Sequence, residues 1–128
     1  MERTIVPTSA PWAAVVGYSR AIRVGNQVFV AGTAPVGPDG AVVTPGDAYG
    51  QARRCLEIIT AALADAGAAP ADVVRTRMFV RDPSDWEAVG RAHGEIFGKI
   101  KPVTTMVFTG FIDPEMLCEI EADAVIAG

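Results

Sequence analysis

Histidine occurs once in this 128-residue chain, at His93, and cysteine twice, at Cys55 and Cys118. Three such residues, far apart, spell no zinc pattern, which needs Cys and His in closely spaced pairs. Both cysteines sit in apolar patterns, so they read as small core residues of a reducing compartment, unpaired. Charge is also scarce: 20% of residues are charged and the balance is −4. An acidic chain without clustered Lys and Arg is a poor partner for polyanions, which argues against nucleic-acid binding. No apolar run approaches the roughly 20 residues of a membrane-spanning helix. The opening MERTIVPTSAPW carries no apolar leader core. Internal repeats and low-complexity segments are missing too. Gly37-Pro38-Asp39-Gly40 is turn chemistry, without the strand, Lys and helix of a phosphate loop. One cytoplasmic domain over residues 1–128, with no membrane partner, is the expectation.

What is present is apolar patterning: half of the residues are hydrophobic. Residues 4–6 suit a short edge strand. Residues 18–24 and 28–31 flank Gly25-Asn26, the signature of a hairpin turn. Between residues 48 and 66, Ala52, Cys55, Leu56, Ile59, Ala62 and Leu63 form one stripe at helical spacing, with Asp47 to cap the start and Gly67 the end. A strand over 74–81 follows, then a second helix. Asp82 is its N-cap, Pro83 its first residue and Gly98 its end, and its stripe runs through Trp86, Val89, Ile96 and Phe97. His93 shares that stripe, so a hydrogen-bonded packing role is expected for it. Two further strands, 103–109 and 117–125, flank a turn at Asp113-Pro114. The order is β-β-β-α-β-α-β-β.

Parity then sorts the faces. In the last strand Leu117, Glu119, Glu121 and Asp123 share one side, and Cys118, Ile120, Ala122 and Ala124 the other. In the fourth strand Arg75, Arg77, Phe79 and Arg81 oppose Val74, Thr76, Met78 and Val80. If these strands are neighbours, arginines meet carboxylates. Two one-sided helices cover one sheet face only. The other, expected to carry Phe79, Met106 and Phe108, would be buried in a closed homo-oligomer.

Three motifs carry a resemblance over nearly the whole chain. Gly17-Tyr18-Ser19-Arg20-Ala21-Ile22 with Gly25-Asn26 and residues 28–32, the segment 51–80, and Cys118-Glu119-Ile120-Glu121-Ala122 resemble the RidA/YjgF family. The resemblance implies an α+β, chorismate-mutase-like fold, two helices on one face of a mixed sheet, and a homotrimer with small-molecule ligands in clefts between subunits. It also implies cofactor-independent hydrolysis of reactive imines and enamines, with no metal. By the same resemblance Tyr18, Gly32 and Glu119 fall on the family's tyrosine, glycine and glutamate. Thr104 stands where the archetype has an arginine that grips the substrate carboxylate, Met106 where it has a cysteine, and Gly90 where it has an asparagine. Glu119 is then the catalytic candidate, positioning or deprotonating a water, or else the partner in a structural ion pair. Tyr18, Gly32, Thr104, Met106 and Phe108 are the candidate substrate-binding residues. A charge-assisted hydrogen bond contributes roughly 1.5–3 kcal/mol and a hydroxyl about half that, so Thr104 points to an uncharged or aromatic ligand. The alternative is a trimer that binds a small ligand or a partner without chemistry.

Overall fold

The computed structural model describes residues 2–127. Six strands form one sheet: β1 (Arg3–Val6), β2 (Ala21–Val24), β3 (Gln27–Thr33), β4 (Val73–Val80), β5 (Val103–Phe108) and β6 (Cys118–Val125). Their spatial order is β1-β2-β3-β6-β4-β5. Every pairing is antiparallel except β4 with β5. Parallel neighbours need a crossover, and the second long helix supplies it. The helices are α1 (Ala13–Val16), α2 (Ala48–Asp65) and α3 (Trp86–Phe97), with short 3-10 turns at Pro70–Asp72 and Pro83–Asp85. The expected α+β fold and element order hold, with two helices against one side of a mixed sheet.

Local chemistry explains the boundaries. The Asp47 carboxylate accepts the Gly50 amide at 3.0 Å and caps α2, satisfying one of the donors a helix start leaves open. Gly67, at φ +84°, turns the chain out of that helix. Gly25, at φ +61°, makes the hairpin turn between β2 and β3. Asp82 accepts the Ser84 amide at 2.9 Å ahead of the 3-10 turn that leads into α3. The strand expected from residue 18 begins only at Ala21, with Tyr18, Ser19 and Arg20 linking it to the one-turn α1 that Gly17 ends. One turn is too short to show a period, so α1 is invisible in the apolar pattern.

The stripe of α2 packs against the sheet as its spacing requires. Ala52, Cys55, Leu56, Ile59 and Leu63 are buried against Val28, Val30, Ile120 and Ala122. Full burial of a side chain such as Leu56 contributes about 1.5–3 kcal/mol. The Cys55 and Cys118 thiols meet in this core as free cysteines, and burial pushes the Cys55 thiol well above its ordinary value.

The other face is bare. Phe29 is 44% and Val107 41% exposed there. Arg77 reaches Glu121 at 2.8 Å and Asp123 at 3.7 Å across the β4–β6 pairing, as strand parity led us to expect. Arg81 behaves differently. It donates to the backbone carbonyls of Met116 and Asp113, both at 2.8 Å. One assignment is corrected here. Met106 and Phe108 lie on the helix side, because β5 runs in register with β4, pairing Thr76 with Thr104, Met78 with Met106 and Val80 with Phe108. Parity within a strand is legible from sequence, but which side it presents depends on the pairing register.

Candidate functional site

The β3–β6 ladder contains one irregularity. Val30 pairs with Ala122, yet Thr33 pairs with Ile120. Three steps along β3 thus match two along β6, leaving one extra residue in β3 at Ala31-Gly32, a β-bulge. A bulge leaves carbonyls without ladder partners, and this one has replacements. The Thr33 hydroxyl donates to the Ala31 carbonyl at 2.8 Å. Arg20 Nη2 donates to Gly32 at 2.9 Å and to Ala31 at 3.3 Å. The Nε of Arg20 is buried without a hydrogen-bond partner.

Glu119, one residue into β6, lays its carboxylate over this bulge. Its Oε1 lies 2.5 Å from the place a Cβ on residue 32 would occupy. Glycine therefore leaves the space that the carboxylate occupies, and any larger residue would push the flexible end of Glu119 aside. Half-buried there, Glu119 has its pKa raised by desolvation, and the Arg20 cation only partly counters this while Glu121 adds to it. Burial that outweighs a nearby cation makes a carboxylate a stronger base than an exposed one. For Gly32→Ala we expect an intact fold, within about 1 kcal/mol of the parent, with the Glu119 carboxylate swung off the bulge. A crystal structure and a thermal melt of the variant check both parts. An unmoved carboxylate would mean that the strand yields instead.

Tyr18 follows α1 and lines an open groove of about 500 Å3 with Ile5, Ile22, Phe29 and Ala31. Glu119 is not in the wall of that groove, although the bulge residue Ala31 is; Arg20 is close enough to both Tyr18 and Glu119 for each to bias its cation. Thr104, Met106 and Phe108 are elsewhere. They belong to the edge strand β5, two strands away from β6 and on the opposite side of the sheet. Within one chain, then, Tyr18, Gly32 and Glu119 gather at the bulge end of the bare face, while Thr104, Met106 and Phe108 form a separate group.

That second group has its own polar structure. The Thr76 hydroxyl, fully buried, is 2.7 Å from His93 Nε2 and 2.7 Å from the Thr104 hydroxyl. The His93 ring also packs on Phe97 at 4.7 Å, and burial lowers its pKa, favouring the uncharged ring. The hydrogen-bonded packing role expected for His93 is what the structure contains. Its link through Thr76 to Thr104 has no sequence signal, since the three residues lie on three elements. Gln51 was also missed. Fully buried in the α2 stripe, it accepts the Leu117 amide at 2.8 Å and donates to the Glu115 carbonyl at 3.0 Å. A glutamine at an apolar stripe position was the available clue. Among the described residues no trio of His, Cys, Asp or Glu is placed to hold a metal, and no helix is long and apolar enough to cross a membrane.

These observations define a class: a small α+β domain with one bare sheet face and two clusters of polar groups on opposite sides of that sheet. A family model described as Endoribonuclease L-PSP matches residues 8–126, and the chain belongs to this YjgF/RidA family. An uncharacterized protein of Streptomyces coelicolor is 38% identical over 93% of this chain and 89% of its own. The 3-aminoacrylate deaminase RutC of Acinetobacter baylyi is 33% identical over 96% of this chain and 97% of its own. Among solved structures, a YjgF/YER057c/UK114 family member from Mycobacterium tuberculosis is 47% identical, with a TM-score of 0.87 over 98% of this chain and all of that one.

Proposed function

We propose that this protein is a cofactor-independent hydrolase that deaminates a small imine or enamine in a cleft between subunits of a homotrimer. The observation that carries the reading is the Glu119 carboxylate, desolvated over Gly32 and backed by the Arg20 cation. The deaminase name of the Acinetobacter relative supports the reaction class. Hydrolysis of an imine needs little machinery. Water adds to the C=N carbon, a proton moves to nitrogen, and the resulting carbinolamine releases ammonia and leaves a carbonyl. In this scheme Glu119 takes the proton from the attacking water and returns it to the departing amine. The shape of the monomer supports the shared cleft. Thr104, Met106 and Phe108 cannot reach Glu119 through the sheet, so a second copy supplies them, and the exposed Phe29 and Val107 are covered in the process.

Thr104 narrows the substrate. A hydroxyl offers no bidentate grip on a carboxylate, so the preferred imine lacks one. The test is a coupled assay in which an amino-acid oxidase generates imines and semicarbazide traps those that survive. Thr104→Arg is expected to raise turnover of 2-iminopropionate by roughly tenfold to a hundredfold, the equivalent of one charge-assisted contact. No gain would sink the claim that this position governs carboxylate selection. Thr104 also favours a second reading, a trimer that binds a small uncharged ligand without chemistry. That reading wins if the wild type accelerates no imine, with or without a carboxylate.

A further inference from the structure

The hydroxyl of Thr76 has one proton and two neighbours at 2.7 Å, His93 Nε2 and Thr104 Oγ1. It can donate to only one of them, and must accept from the other. The chain of three groups therefore has a single sense along its whole length. When Nε2 lacks a proton, Thr76 donates inward, Thr104 donates to Thr76, and Thr104 meets the exterior as an acceptor. When Nε2 carries the proton, every bond reverses and the Thr104 proton is free to point outward. The Pro102 carbonyl, at 3.4 Å, is a long and weak alternative for that proton. One end of the chain is buried with His93 and Thr76, while the other is an exposed hydroxyl on an edge strand.

We propose that His93, acting through Thr76, decides whether the Thr104 hydroxyl meets a ligand as donor or acceptor, and that the group so recognised is an uncharged one, a carbonyl or amide. The reading rests on Thr104 facing the ligand, as in the function proposed above. His93 and Thr76 are positioning residues; only Thr104 touches the ligand. Such a relay matches an uncharged group better than a charged one, because a hydroxyl that can present either sense suits a partner that is donor or acceptor but brings no counter-charge.

His93 is the only histidine, so its ring nitrogens give one isolated set of 15N signals. The probes are 2-oxobutanamide, which is neutral, and 2-oxobutanoate, which is charged. Saturating amide is expected to move the Nε2 signal although it touches neither His93 nor Thr76, and Thr76→Val abolishes that movement. The dissociation constant of the amide rises about fivefold in Thr76→Val and in Thr104→Val, the loss of one neutral hydrogen bond, and rises no further in the double variant. Thr76→Ser restores both the signal movement and the affinity, which a packing defect would not allow. Thr104→Val, at an exposed position, serves should a change at buried Thr76 impair folding. Independent, multiplying effects of the two substitutions overturn the relay. So does an unmoved Nε2 signal, failure of both probes to bind, or tighter binding of the charged probe. If the amide reports through His93 while no imine is hydrolysed, the relay stands and the hydrolase reading falls. If imines are hydrolysed while the two substitutions multiply, only the relay falls.

Discussion

Replacing Glu119 with glutamine is expected to remove imine hydrolysis and, at neutral pH, to raise the melting temperature. The first part follows from the role proposed for the carboxylate. Glutamine keeps the shape over Gly32 but cannot accept a proton, and loss of a general base lowers rates by roughly 10²- to 10⁴-fold. The second part follows from the direction of the pKa shift. Desolvation raises the Glu119 pKa above its ordinary value, in spite of the pull of Arg20. The ionised form is thus less favourable in the folded protein than in the unfolded chain. What this group contributes to stability is fully present below the unfolded pKa and lost as pH rises through the folded one. A neutral amide escapes that loss. The variant should melt higher than the wild type at pH 7, and the gap should close below about pH 4, where an ordinary glutamate is protonated. Melts from pH 3.5 to 8, with the coupled assay run alongside, test both parts. A lower melting temperature at pH 7 would mean that the attraction of Arg20 exceeds desolvation. With Glu119 as the proposed base, the same direction of shift moves the acid limb of the rate profile upward from that of an exposed glutamate.

Gln51→Leu should be the most damaging single change in side-chain chemistry at nearly constant volume. Gln51 is fully buried and joins helix α2 to the segment that delivers the chain into β6. Leucine leaves the part-buried Leu117 amide and Glu115 carbonyl without their partner, and an orphaned group shielded from water costs about 1–3 kcal/mol. A loss of roughly 2–4 kcal/mol is expected, visible as a lower urea midpoint with an unchanged slope. Arg81 still ties the same segment through the Met116 and Asp113 carbonyls, so the strand is loosened and not released. Because Glu119 follows two residues after Leu117, hydrolysis should fall with stability, and a variant with full activity would show that the bulge positions Glu119 without help from this tether. A loss below about 0.5 kcal/mol would mean that water replaces the side chain.

The contrast between these residues shows what a sequence carries. Alternation in β6 placed Glu119, Glu121 and Asp123 on the bare face, because a two-residue period is a local property. The α2 stripe was legible for the same reason. The side occupied by Met106 and Phe108 was not, since it depends on how α3 returns the chain beside β4, and a one-residue difference in that return exchanges the faces. Tyr18, Gly32 and Glu119 were singled out by family resemblance. The reason a glycine sits at position 32 emerged only from the geometry of its neighbour. The chain from His93 through Thr76 to Thr104 joins residues 17 and 28 positions apart along the sequence, and no spacing rule links them.

The bulge has one more implication. Val28 and Val30 face the core in one phase, and Thr33 faces it in the other. β3 is in effect written in two reading frames, spliced at Ala31-Gly32. Removing a single codon there would merge the frames and give a regular ladder with no seat for the carboxylate. Such a protein would have a more regular sheet and would lack the site on which the proposed reaction depends. For the proposed reaction, chain length at this point is therefore a requirement in its own right, separate from the identity of the residues that fill it.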